Sequence, residues 1–109
     1  MCPPNWILNN MECYKEIKTF LNGEGRLTAF PAKRKKKIMA LFYLADRVEP
    51  GKRYTEREIN DLLLAWHLFR DPATLRRELY DYGFLCREVD GSVYWKSETQ
   101  PDPKDLGIL

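Results

Sequence analysis

The sequence holds little with which to do chemistry. Its one histidine, His67, has no serine, cysteine or acid at motif spacing, which leaves few routes to acid–base or metal catalysis. The three cysteines, Cys2, Cys13 and Cys86, are odd in number, far apart and without zinc-site spacing. They read as reduced thiols or small core residues, not as a disulfide or metal framework. No glycine-rich phosphate loop is present. The longest uncharged apolar run, Ile38 to Ala45, is far short of the roughly 20 residues a membrane helix needs. Met1 to Asn10 carries no basic residue and no long apolar stretch, which argues against a secretory leader and for the cytoplasm. The nearest approach to a carboxylate pair is Glu56 and Glu58. However, Glu58 fits a capping box and Glu56 suits a helix N-terminus. The residues therefore predict no catalytic group, no cofactor, no metal site and no membrane partner.

What is present suits one small domain. The 109 residues are 44% hydrophobic, 31% charged and 13% aromatic, enough to fill a core and too few for two ordinary ones. Net charge is only +2, but it is unevenly spread. Met1 to Gly25 sums to −1, Arg26 to Arg53 to +7 and Tyr54 to Leu109 to −4. The basic block contains the run Lys33, Arg34, Lys35, Lys36, Lys37. Such a run reads either as a solvated first helical turn or as a phosphate-contacting patch. A helix dipole prefers acids at its N-terminus, so a basic start costs some stability and favours a binding role.

Periodicity and punctuation give helices first, then a hairpin. Asn10 can cap a helix from Met11 to Leu21, with Cys13, Ile17, Phe20 and Leu21 on one side and Gly23 as its stop. Leu27 to Phe30 is short and extended before Pro31. A second helix runs from Pro31 or Ala32 to Arg47, with Ile38, Leu41, Phe42, Ala45 and Val48 as its main stripe. Met39 and Tyr43 lie on another side, with Leu44 between, so this helix predicts packing on two surfaces. Lys52 to Tyr54 can form a very short strand. Thr55, with Glu58 three residues on, opens a third helix whose inner face is Ile59, Leu62, Leu63 and Trp66. Asp71 caps a fourth, with Pro72 at its first position, Leu75, Leu79 and Tyr82 inward, and Gly83 after it. Phe84 to Val89 and Ser92 to Lys96 read as strands joined by the two-residue turn Asp90-Gly91. The expected organisation is an N-terminal helix and linker (1–26), a folded domain (27–96) and a mobile tail (97–109).

From Pro31 onward the order helix, short strand, helix, loop, helix, hairpin is that of a winged helix-turn-helix. The predicted fold class is therefore α+β: a winged helix-turn-helix with an extra N-terminal helix and a C-terminal two-stranded hairpin. The residues themselves carry a resemblance: Leu-Thr-Ala-Phe-Pro-Ala-Lys-Arg-Lys-Lys-Lys (27–37), Arg-Tyr-Thr-Glu-Arg-Glu-Ile-Asn (53–60) and Asp-Pro-Ala-Thr-Leu-Arg-Arg-Glu-Leu (71–79). Gly-Phe-Leu-Cys-Arg-Glu (83–88) and Asp-Gly-Ser-Val-Tyr-Trp (90–95) complete it. Together, over Leu27 to Lys96, these resemble the bacterial family called domain of unknown function 2087. The resemblance implies a winged-helix-like fold and the transcriptional-regulator label that members carry.

In such a fold the helix before the hairpin is the one that enters the major groove. With Leu75 and Leu79 inward, helical spacing turns Ala73, Arg77, Tyr80 and Asp81 outward and leaves Thr74 and Arg76 on the flanks. Arginine reads guanine, and threonine or tyrosine can hold a phosphate. The candidate DNA contacts are thus Lys33, Arg34, Lys35, Lys36, Lys37, Thr74, Arg76, Arg77, Tyr80 and Arg87. Against them, Arg76 and Arg77 could simply pair with Glu78, Asp81 or other surface acids. The helix itself sums to −1 over Asp71 to Asp81. Glu88 and Asp90 offset Arg87 and Lys96 on the hairpin, and a two-residue turn is too short to reach far into a minor groove. The competing reading is a protein-interaction or dimerisation module, since Met39, Tyr43, Leu64 and Tyr80 fall off the expected core. The candidate partners are double-stranded DNA and a second copy of the chain.

Overall fold

The computed structural model describes residues 17–102 and 104–107. Residues 11–16 of the expected first helix, and with them Cys2 and Cys13, lie outside this range. Its described end is a 3-10 turn, Lys18–Phe20, followed by extended Leu21. Leu21 bridges Leu27, and the Thr28 amide reaches the Phe20 carbonyl at 2.7 Å, closing the segment into a short loop.

The domain proper begins with α1, Arg34–Ala45, and seven of its 12 residues are buried: Ile38, Met39, Ala40, Leu41, Phe42, Leu44 and Ala45. This accounts for the apolar residues all round the helix. They are spent within the chain, in the core cluster that α1 shares with the rest of the domain. Its two expected surfaces are both internal.

Next comes β1, Arg53–Thr55, and then α2, Glu56–Leu64. The capping box at Thr55 is complete: the Glu58 amide donates to Thr55 Oγ1 at 3.1 Å, and the Thr55 amide donates to Glu58 Oε1 at 3.0 Å. The helix α3, Pro72–Asp81, starts as expected, with the Thr74 amide donating to Asp71 Oδ1 at 3.2 Å and proline at its first position. Leu75 and Leu79 are fully buried, and Gly83, at φ +88°, turns the chain out of the helix.

The hairpin β2, Leu85–Arg87, and β3, Val93–Lys96, follows as expected, but its loop is longer than two residues. The Glu88 amide donates to the Val93 carbonyl, so Val89 to Ser92 forms the loop, with Asp90 Oδ1 accepting from the Ser92 amide and hydroxyl. Asp90-Gly91 sits inside this loop; the strands stop pairing earlier because Asp90 bonds locally to Ser92. The hairpin is also not alone. β1 pairs with β3, giving a three-stranded antiparallel sheet in the order β1-β3-β2. Three helices backed by such a sheet are a winged-helix-like α+β arrangement.

Within 27–96 the residues expected inward are buried except Leu62, Trp66 and Tyr82, which are half-buried. The segment expected as a mobile tail is tied at several points. The Ser97 amide and Gln100 Nε2 donate to the Phe84 carbonyl, Leu106 packs on the core and Arg34 Nη1 donates to the Leu106 carbonyl at 2.7 Å. Among the described residues, no helix is long and apolar enough to cross a membrane.

Candidate nucleic-acid interface

The helix-turn-helix is built around the connection from Ala65 to Asp71, which is held from three directions. Leu27 pairs through its backbone with Trp66 and Leu68, at 2.8 Å each. Arg26 Nη2 donates to the carbonyls of Leu64 and His67, at 3.0 and 3.1 Å. The His67 ring, 1% exposed, spans the connection: Nδ1–H donates to the Leu63 carbonyl, and Nε2 accepts from the Asp71 amide at 3.0 Å. That amide needs an acceptor, so the ring is neutral with its proton on Nδ1. Burial holds His67 below its ordinary pKa, outweighing the Leu63 carbonyl and the Asp71 carboxylate, which favour the proton. Asp71 is itself held below the usual carboxylate range, by the Thr74 side chain first and its amide second. These ties fix the angle of α3 relative to α2.

The exposed stripe of α3 comprises Ala73, Arg77, Tyr80 and Asp81, as helical spacing predicts. Arg77 is exposed, and Tyr80 is 39% exposed. Thr74 is half-buried at the cap. Two neighbours flank the stripe. On one side the start of α1 approaches, with Lys37 Nζ 3.8 Å from Glu78 Oε1. On the other side runs the hairpin, with the Arg87 guanidinium 4.6 Å above the Tyr80 ring. The flanking acids are therefore occupied: Asp71 by the cap and Glu78 by Lys37.

Arg76 behaves otherwise. It is directed toward α2 and the sheet, where Nη1 donates to Asn60 Oδ1, Nη2 lies 3.3 Å from Glu56 and the guanidinium lies over Tyr94. Its side chain is only 17% exposed, so it is a structural tie rather than a contact residue on the stripe. The basic run also divides. Lys33, Arg34 and Lys35 are exposed, with Arg34 bound to the Leu106 carbonyl. Lys36 and Lys37 are half-buried against the rings of Phe20 and Phe30. Lys33 stands at the N-cap without a side-chain cap bond, and no acid occupies the first turn of α1.

Sequence reasoning missed Arg26, His67 and Arg53. Arg53 stacks on Trp95 and pairs with Glu88 across the sheet. The only signal for these lay in the basic charge of the block around Leu27 and in the isolation of the single histidine. An open groove of about 680 Å³ lies between α2, the start of α3 and the hairpin loop, lined by Glu56, Arg57, Asn60, Asp61, Leu64 and Ser92 among others. Among the described residues, no group of three or more His, Cys, Asp or Glu side chains is placed to hold a metal.

The family described as "Uncharacterized protein conserved in bacteria (DUF2087)" matches residues 26–96, which is 71 of the 109 residues. No curated protein and no solved structure matches the chain.

Proposed function

The chain belongs to the DUF2087 family, and on that premise we propose that it is a cytoplasmic, non-catalytic winged-helix regulator that binds double-stranded DNA through α3. One observation carries this reading: the exposed stripe of α3 lies between the basic start of α1 and the hairpin arginine. Affinity for a duplex comes mainly from neutralising phosphates, and a helix seated in the major groove has a phosphate backbone on either side. Here cations border the stripe on both sides. Arg77, in its middle, is left to reach base edges. Arg76 is not among the contacts on this reading, and Thr74 acts through the cap rather than as a free hydroxyl.

The test is a fluorescence titration with pooled random duplexes at low salt. Binding tighter than about 100 micromolar, the weak end of ordinary non-specific affinity, supports the reading, and no binding at that limit overturns it. Arg77→Ala should cost about 1–3 kcal/mol on a selected site and little on random DNA.

A second reading, a self-association or protein-interaction module, is favoured by a different observation. Leu64 and Leu68 are 37% and 42% exposed at the end of α2 and just beyond it, and Leu64 lines the open groove. A concentration-dependent mass in sedimentation that Leu64→Ser and Leu68→Ser abolish would support it.

A further inference from the structure

The hairpin carries its charges in an unusual order along its length. Arg87 closes β2, directly opposite Tyr94 of β3, so both lie on the sheet face turned toward the helices. Its guanidinium stacks on Tyr80 of α3 at 4.6 Å. Gly91, in the loop, has φ +74°, and a Cβ there would stand 3.4 Å from Arg87 Nη1 and 3.8 Å from the Tyr94 hydroxyl. The loop thus folds its bare backbone down against the arginine. The Tyr80 and then the Tyr94 hydroxyl beside the guanidinium hold its proton more firmly than usual. Three neighbours fix its plane, yet Arg87 is exposed, and among the described residues no carboxylate pairs with it.

The tip is the reverse. Glu88 is bound to Arg53, the Asp90 carboxylate is turned onto Ser92, and Val89 between them is 100% exposed. The Asp90 carboxylate at the tip is repelled by a polyanion, whereas the stem offers a pre-oriented planar cation.

We propose that Arg87 is a site for one backbone phosphate of the duplex, with Tyr80 as its positioning residue, and that the acidic hairpin tip stands off the DNA. This rests on the DNA-binding reading above and deepens it. Arginine carries five N–H donors in a fixed plane, more than the two tyrosines beside it can engage, so donors remain to meet a phosphate. A lysine here would carry the charge without the plane. Tyr80 then serves as the platform that sets where the guanidinium stands beside the groove-facing stripe.

The experiment is a titration of the full chain against pooled random duplexes from 50 to 200 mM salt. It covers wild type, Arg87→Ala, Arg87→Lys, Tyr80→Ala and Val89→Ala, each checked for a native melt. One lost phosphate contact shallows the log–log salt slope by about 0.9, so the fourfold rise in salt should weaken wild type about 3.5-fold more than Arg87→Ala. Arg87→Lys and Tyr80→Ala should keep the wild-type slope while losing affinity, a split that loss of charge alone would not give. Val89→Ala should stay within about twofold of wild type, as a surface change away from the contact does. An unchanged slope in Arg87→Ala, full affinity in both Arg87→Lys and Tyr80→Ala, or a larger loss in Val89→Ala than in Arg87→Ala overturns the inference while the DNA reading stands. Absence of any wild-type binding overturns both.

Discussion

His67→Leu tests whether the helix-turn-helix is held as described. Leucine is a small change in volume at a site 1% exposed, so the expected loss lies in the hydrogen bonds rather than in a cavity. The Leu63 carbonyl keeps the Trp66 amide at 3.0 Å, whereas the Asp71 amide loses its one acceptor, His67 Nε2. An orphaned amide costs about 1–3 kcal/mol, a sizeable share of a total of about 5–15 kcal/mol. The second signature is pH. Burial lowers the folded-state pKa of His67 below its ordinary value of 6.5, so the unfolded chain takes up the proton first. Stability is therefore full above about pH 6.5 and declines as pH falls toward the folded pKa. The decline reaches at most about 1.4 kcal/mol by pH 5.5, the limit for a folded state that binds no proton there. Glu58, Asp71 and Asp90 are all held below the ordinary carboxylate range, so their contributions are lost only in more acid solution. Urea melts at pH 7.5, 6.5 and 5.5 should show wild type weakening and His67→Leu starting lower but flat, so that the two converge. A wild type as stable at pH 5.5 as at 7.5, or a leucine variant with the wild-type slope, would refute the reasoning.

Three further outcomes are expected. Leu79→Ala removes a fully buried side chain from the middle of α3 and should cost about 2–5 kcal/mol in a denaturant melt. Gly25→Ala meets two obstacles, a backbone at φ +80° and a Cβ 2.9 Å from the Tyr43 hydroxyl that binds the Gly25 carbonyl; it should lower stability by about 1–3 kcal/mol by the same assay. Thr55→Ala deletes half of the capping box and should cost about 1 kcal/mol, with Thr55→Ser restoring most of it.

What was legible in the chain was what is local. Thr55 with Glu58, and Asp71 with Pro72, each settle a helix start within four residues, and both stand as expected. The stripe Leu75, Leu79 followed from one helical period. Features requiring partners distant in sequence were not legible. Arg26 reaches carbonyls 38 and 41 residues away. The all-round apolar α1 left open whether its second surface meets the first helix or a partner subunit; in the fold seven of its residues are buried within the chain itself. Arg76 occupies a flank of α3 as the wheel gives it, but the wheel does not say that α2 and β3 wall off that flank with Glu56, Asn60 and Tyr94. The hairpin position was readable from Asp90-Gly91, but its loop length was not. The Asp90 carboxylate prefers local bonds to Ser92, and that ends the ladder at Glu88 and Val93.

The electrostatics of α3 also change once partners are assigned. Counted along the chain, the helix is slightly acidic, which weighs against a groove-reading role. In the fold, Asp71 is committed to the cap, Glu78 to Lys37 and Arg76 to Glu56. The charges left on the exposed stripe are Arg77 and Asp81, which balance, so any excess of positive charge lies beside the helix, on Arg87 and the exposed start of α1, rather than on it. On the DNA-binding reading this separates two roles that many recognition helices combine. Phosphate affinity would rest on the start of α1 and on Arg87, and base discrimination on Arg77 with little help. One arginine reading one guanine is worth about 1–3 kcal/mol, against the roughly 4–10 kcal/mol that separates specific from random sites in dedicated repressors. Such a surface favours duplex DNA broadly and chooses among sequences weakly, so strong selectivity would have to come from a second DNA-contacting unit bound to the same site.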